Sequence, residues 1–441
     1  MRLTSLALLY VILPVALAVY IPLPRRLRPV WLLAVSLAYY ALVAPGFLYL
    51  LLLSVLADFL ILRIMDRCDS LRLLRAILLG VCAVKNLGMI LCNTLRAQSP
   101  QVTVMAGTAI LCLSGLDCVW GAWRREYPCE RNIIRFSLYC CFFPRLQAGP
   151  LMRYDAFARQ LRDPAPKPAK MLEGAAGILF GVVKFQFFGT ALAGIGQTLR
   201  HYGAGEASVL SGWCMVITLA LSVYYQFSGI CDIARGIGLL FGLELPKNFY
   251  YPYQARSVQD FFERFNASYY SFLRRTVYAG LREDQNGLPA DILNTLMVGM
   301  LFGLWFQLGP NKLLWGAFLA VFALLERYLY PALLRGLPTL FARAYTFVVV
   351  MVSFALYVGE SLPQSAGYLK VLFGLGVPLQ NNRILYFLSN SWPFLLVSCF
   401  LATSILSLAD IALRKTSGRL WAAVLTSVCT GLLLLSAALL V

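Results

Sequence analysis

The stretch LPRRLRPVWLLAVSLAYYALVAPGFLYLLLLSVLADFL (23–60) leads into two apolar runs, 29–43 and 46–62, parted only by Ala44, Pro45 and Gly46. A helix crosses the hydrocarbon core of a bilayer with roughly 17–25 mainly apolar residues. In lipid, a helix satisfies its own backbone polar groups, which an open strand does not. Further runs of this kind lie at 4–22, 74–92, 103–123, 172–196, 207–231, 290–308, 313–333, 344–358, 388–412 and 420–441. The expected fold is an all-α polytopic membrane protein with about 12 transmembrane helices. The 4–22 run is too long, and lacks the small-residue cleavage site, for a removable signal peptide.

Composition excludes the soluble alternative. Of 441 residues, 60% are hydrophobic and 13% charged, and mean hydropathy is +0.72. A soluble domain is nearer half apolar and about a quarter charged, and a larger core still needs a polar shell. The formal net charge of +18 does not point to nucleic acid, because no basic domain stands outside the apolar runs. Basic residues in short loops follow the positive-inside rule and face anionic lipid, so membrane lipids are the expected partners. Twelve cysteines are scattered through apolar runs with no Cys-x-x-Cys pair, which reads as small hydrophobes, with no metal site.

Loop charge fixes an expected orientation. Arg25, Arg26 and Arg28 follow the first run, and the next connection is uncharged. Arg63, Arg67, Arg72 and Arg75 surround the third connection, Arg96 stands alone in the fourth, and Arg124, Arg125, Arg131 and Arg135 follow the fifth. This alternation places the N-terminus outside the cytoplasm, and the same parity places Arg414, Lys415 and Arg419 inside and the C-terminus outside. One membrane domain is expected over 1–441, with N-terminal spans (1–125), a motif-bearing core (126–330) and C-terminal spans (331–441).

Two stretches break the pattern. Residues 133–151 are interrupted by Pro144 and Pro150, with Arg145, Gln147 and Gly149 among them, and 232–285 mixes aromatics with Arg and Asp. Irregular backbone at membrane depth persists only when buried in protein or lining a wet cavity. Both are read as re-entrant or interfacial helices, the alternative being a cytoplasmic loop and a surface helix.

The 23–60 stretch resembles the N-terminal spans of the bacterial polysaccharide branch of the membrane-bound O-acyltransferases. That branch includes the membrane subunits of alginate O-acetylation and teichoic-acid D-alanylation. ERNIIRFSLYCCFFPRLQAGPLMRYDAFARQL (130–161) is similar to the branch's Phe-Phe-Pro…Ala-Gly-Pro…Arg-Tyr signature. YYQFSGICDIARGIGLLFGLELPKNFYYPYQARSVQDFFERF (224–265) resembles its Phe-Ser-Gly-x-x-Asp and Gln-Asp-Phe core, and LFGLWFQLGPNKLLWGAFLAVFALLER (301–327) the span that carries the active site. The resemblance runs to about residue 330. It implies spans and re-entrant helices around a central funnel, and residence in the bacterial cytoplasmic membrane.

The departures concern the chemistry. The family places a His just beyond the Gln-Asp-Phe helix, where this chain has Asn266, and another in a Trp-His-Gly motif, where this chain reads Trp305-Phe306-Gln307. The one histidine of the chain is His201, in the loop after 172–196. The family reaction moves an acyl group onto a hydroxyl, a weak nucleophile that needs a base near working pH. Losing general-base catalysis forfeits roughly 10²–10⁴ in rate, about 3–5 kcal/mol of barrier. Phe306 has no lone pair, Gln307 is an amide, and Asn266 can only hydrogen-bond. Substitute bases are few. Asp232, Asp260 and Glu263 lie nearest the motifs, and the plainer reading of Asp232 and Asp260 is pairing with basic residues or helix capping. Tyr224, Tyr225, Tyr269 and Tyr270 line the cavity or pack between helices, and a phenol near pKa 10 is a poor base.

The resulting expectation is a degenerate member of the branch, with Trp305, Phe306, Phe302 and Trp315 closing the old site. It would act as scaffold or partner of an active acyltransferase or an extracytoplasmic acyl-transfer protein. Two alternatives stay open: an active O-acyltransferase with a different base, and a conduit for lipid or acyl groups. No cofactor is expected, beyond an acyl-CoA or acyl-carrier-protein thioester as donor if transfer occurs.

Overall fold

The computed structural model describes residues 3–5, 7–68, 70–97, 107–147, 149–162, 164–202, 206–279, 287–305, 309–331, 336–404 and 431. In chain order its helices are α1 (Leu13–Tyr20, entered through a π-turn, Ala7–Ile12), α2 (Arg28–Val43), α3 (Leu48–Arg67), α4 (Arg72–Ala97), α5 (Thr108–Trp123), α6 (Ile133–Cys141), α7 (Tyr154–Gln160), α8 (Pro168–Val183) and α9 (Thr190–Arg200). There follow α10 (Val209–Leu240), α11 (Val258–Arg264), α12 (Ala267–Leu273), α13 (Leu288–Leu304), α14 (Pro310–Tyr328), α15 (Thr339–Val358), α16 (Leu362–Leu372) and α17 (Asn382–Leu401).

Six stretches of helix among the described residues are long and apolar enough to cross a membrane: Pro45–Arg67, Arg72–Leu95, Pro168–Arg200, Val209–Leu240, Thr339–Val358 and Asn382–Leu401. Shorter apolar helices stand at Ala7–Tyr20, Arg28–Val43, Thr108–Trp123 and Leu288–Leu304. This is an integral membrane protein built of helices. The expected 313–333 run appears as α14, which carries Lys312, Glu326 and Arg327. The expected 420–441 span, apart from Gly431, lies outside the described residues.

The chain divides into two compact units that do not follow chain order. The first takes the described residues of Met1–Val182 together with Gly229–Lys247. Several of its charged groups are buried and paired, as lipid requires of charges at membrane depth. Asp58 on α3 accepts from Lys85 (2.9 Å), Asn86 and Cys82 on α4. Arg145, 1% exposed, donates to the Tyr139 carbonyl and to Ser114 Oγ (2.7 Å), and lies over the Tyr139 and Phe157 rings. The proline-broken stretch 133–151 is thus threaded through protein, where side chains stand in for water.

In this unit α8 meets the end of α10 through small residues. A Cβ on Gly181 would sit 2.6 Å from the Gly229 carbonyl oxygen, and one on Gly236 2.4 Å from that of Gly174. Backbone contact of this kind lets α10 run on to Leu240, although the sequence reading ended its span at 231. Asp232 therefore lies inside α10, a correction to its placement in the irregular 232–285 stretch.

The second unit takes Val183–Ser228 with the described residues of Asn248–Leu435. The pair α13 and α14 packs backbone to backbone: a Cβ on Gly316 would lie 1.9 Å from the Gly299 carbonyl oxygen, and one on Gly303 2.0 Å from that of Lys312.

Candidate functional site

The family-motif residues of the second unit assemble around the α11–α12 corner. Asn248 and Phe249 run antiparallel to the chain at 264–268. Phe249 bridges Phe265, and the Asn248 carbonyl oxygen accepts from Ala267 N (2.9 Å). Asn248 Nδ2 donates to Asn266 Oδ1 at 2.8 Å, and Ser268 N donates to Asn248 Oδ1 at 2.9 Å. These bonds hold Asn266 at φ 55°, the left-handed region that Asn tolerates better than most residues. Asn266 is 1% exposed, and its Nδ2 has no further partner among the described residues.

Helix α11 is capped at its start by three groups. Ser257 Oγ accepts from Asp260 N, Asp260 Oδ2 accepts from Arg256 N, and Asp260 Oδ1 accepts from Arg264 Nε at 2.6 Å. From α14, Glu326 brings both carboxylate oxygens to 2.9 Å of Val258 N and one to 3.4 Å of Gln259 N. Sequence reasoning passed over Glu326, a buried carboxylate whose only signal was an acid inside an apolar run. It is placed where a helix N-terminus presents unpaired N–H groups.

A chain of aromatic rings joins several predicted residues. Tyr224 meets Phe249, Phe249 meets Phe265 (5.2 Å), and Phe265 meets Phe302. Phe302, fully buried, also contacts Phe262, Tyr269, Tyr270 and Trp315. Trp305 packs on Tyr269, its ring tilted by 35°, with centroids 4.4 Å apart, and Trp315 donates to Ser353 Oγ at 3.0 Å. Tyr225 donates to the Ser398 carbonyl (2.5 Å). Burial pushes the Tyr269 and Tyr270 phenols up, further from any role as a base near neutral pH.

Beyond the connection, Asn311 donates to the Gly359 carbonyl at 2.7 Å, and buried Lys312 donates to the Tyr357 carbonyl with its ammonium 4.1 Å from the Tyr357 ring centroid. Lys312 is a second buried charged group that the sequence reading did not single out. Of the predicted site residues, Asn266, Asp260, Tyr224, Tyr225 and Trp305 share the second unit, whereas Asp232 belongs to the first. Phe306 and Gln307 lie outside the described residues.

Motif-bearing helices arranged in this way define an integral membrane protein with a dense aromatic cluster at its motif core. Residues 128–361, more than half of the chain, match the MBOAT, membrane-bound O-acyltransferase family, and the chain belongs to that family. It is 27% identical over 285 residues to the "Probable alginate O-acetylase" of Pseudomonas putida, covering 63% of this chain and 56% of that protein. It is 25% identical over 398 residues to the Pseudomonas aeruginosa protein of the same designation, covering 85% and 75%. It is 27% identical over 256 residues to the peptidoglycan O-acetyltransferase of Helicobacter pylori, covering 56% and 48%. Against the first of these, the chain spans a little over half of the relative's length.

Proposed function

We propose that this chain serves a cell-envelope polysaccharide O-acylation system without running the inherited histidine chemistry, as a scaffold or partner subunit. One observation carries this reading. The single histidine of 441 residues is His201, which sits exposed at the end of α9 with Nδ1 on the Gln197 carbonyl. The positions that correspond to the family's histidines hold Phe306 and Asn266.

The neighbouring carboxylates favour this reading over a relocated base. Asp260 is engaged with Arg264 and its own helix start, and Glu326 caps α11. Each is already occupied by backbone N–H groups, and Asp260 by a guanidinium as well, so neither stands free to take a substrate proton. The partner is an active acyltransferase or an extracytoplasmic acyl-transfer protein, and the site of action is the bacterial cytoplasmic membrane, with both termini outside the cytoplasm.

The test is direct. Purified protein is incubated with labelled acyl-CoA or acyl-carrier protein and a polysaccharide acceptor, beside a Phe306→Ala control. Equal, background transfer is expected in both. Turnover above the control would establish an enzyme with an unrecognised base.

A further inference from the structure

In the second unit, the connection between α16 and α17 is short, apolar and turned outward. Within residues 373–379, Phe373 is 65% exposed, Leu375 63% and Leu379 78%. Three large apolar side chains exposed on one short loop mark a surface that meets something other than water.

The backbone holds them there. Helix α16 ends in a Schellman turn: Gly374 N donates to the Val371 carbonyl (3.1 Å) and Leu375 N to the Lys370 carbonyl (2.9 Å), with Gly374 at φ 74°. Trp213 on α10 donates its indole N–H to the Leu372 carbonyl at 3.2 Å. At the other end of the loop, Val209 N donates to the Pro378 carbonyl at 3.0 Å and Leu210 N to that of Leu379 at 3.1 Å. Both ends are pinned, so the apolar side chains cannot fold inward without breaking these bonds.

The same bonds set the depth of the loop. Val209 opens the Val209–Leu240 span, and Asn382, three residues after Leu379, opens the Asn382–Leu401 span. Pro378 and Leu379 therefore lie level with the start of one span, and three residues reach at most about 10 Å to the start of the other. A backbone at that level stands at the polar–apolar boundary of the bilayer. The apolar surface continues into α17, where Leu385 and Tyr386 are exposed in the first turns of a span that is little buried within the protein. The nearby cation, Arg383, is engaged by Glu206 and the Tyr202 ring.

We propose that the 373–379 loop is a membrane-interface anchor, with Phe373, Leu375 and Leu379 inserted between the headgroups and first acyl carbons of the leaflet where α10 and α17 begin. Its ligand is a lipid surface met through apolar contact, not through headgroup charge. The anchor goes beyond the scaffold reading and is independent of it, because it holds whether or not the chain transfers acyl groups.

The experiment uses the full, cysteine-depleted chain in phosphatidylcholine nanodiscs, with one environment-sensitive fluorophore on Val377→Cys. This probe sits inside the loop and replaces none of the three side chains. Iodide quenches from water, and a nitroxide on the acyl carbons nearest the glycerol quenches from lipid. A fluorophore on His201→Cys, at an exposed polar position, is the water-facing reference. The nitroxide is expected to quench the probe at 377, with most iodide quenching lost relative to 201. Phe373→Ser, Leu375→Ser and Leu379→Ser together should restore iodide access with folded yield retained, since exposed side chains contribute little to the fold. Equal iodide quenching at 377 and 201, shielding of 377 from both quenchers, or the same quenching with and without the three apolar side chains overturns the proposal. Protection in phosphatidylglycerol but not in phosphatidylcholine overturns it too, since charge would then hold the loop. Should the triple variant fail to fold, the two quenchers on the otherwise unchanged loop decide alone.

Discussion

Both carboxylate oxygens of Glu326 lie 2.9 Å from the backbone nitrogen of Val258, so one side chain of α14 closes the N-terminus of α11. Glu326→Ala leaves two buried N–H groups unpaired, and we expect it to destabilise the protein by about 3 kcal/mol. Glu326→Gln keeps an acceptor oxygen and should cost less. Thermal unfolding in detergent measures both, and an unchanged Tm for the alanine variant would remove Glu326 from this role.

The α13–α14 crossing gives a paired prediction about glycine. At Gly316 a Cβ would lie 1.9 Å from the Gly299 carbonyl oxygen, so Gly316→Ala forces the helices apart. Separation there also disturbs Phe302 and Trp315 and should lower folded yield sharply. Gly367, within α16, has nothing within 4 Å of an added Cβ. Gly367→Ala is expected to be neutral or stabilising by about 0.5–1 kcal/mol. Similar behaviour of the two variants would contradict the packing described.

Legibility in the sequence followed period and length. The apolar runs gave the helices, because hydrocarbon leaves a chain few other ways to satisfy its backbone. The end of α10 was misplaced because Asp232 and Arg235 read as the edge of a span, whereas Gly229 and Gly236 pack against α8 and carry the helix onward. Motif residues could be named, but their assembly could not. The Asn248–Asn266 bond and the Glu326 cap join positions 18 and 68 residues apart, and no local pattern announces such pairs. Asp232, grouped with the site by sequence, belongs to the other unit.

Orientation is tested by the alternation of arginine between loops. Single cysteines introduced into the 24–28 and 414–419 loops of a cysteine-depleted chain should resist an impermeant thiol reagent added from outside. A cysteine in place of His201 should react. Labelling of the 24–28 loop in intact cells would invert the proposed topology.

His201 itself is exposed, with its Nδ1 on the Gln197 carbonyl one turn earlier. That bond is local to the end of α9, so His201→Ala should leave expression, Tm and any cellular phenotype within about 0.5 kcal/mol or experimental scatter of wild type. Loss of function at normal expression would promote His201 to a relocated functional group.

Restoring one histidine should not restore chemistry. Phe306→His supplies an imidazole after Trp305, but Trp305 packs against Tyr269 and the preceding Phe302 is enclosed by five aromatic rings. Asn266, at the other family position, is fixed by Asn248 and lacks a group able to take a proton. A histidine there is conformationally feasible, since His is among the residues enriched at positive φ, but it would have to replace the Asn248 bond. Phe306→His alone is therefore expected to show background transfer. The Phe306→His, Asn266→His pair is the smallest change that returns both imidazoles, and it still leaves Gln307 in place of the family glycine. The measurement is transfer of labelled acetyl from acetyl-CoA to a polysaccharide acceptor, with Tm recorded to exclude misfolding. Clear turnover by Phe306→His alone would mean that the site was never closed, and that a single missing base accounts for the whole loss.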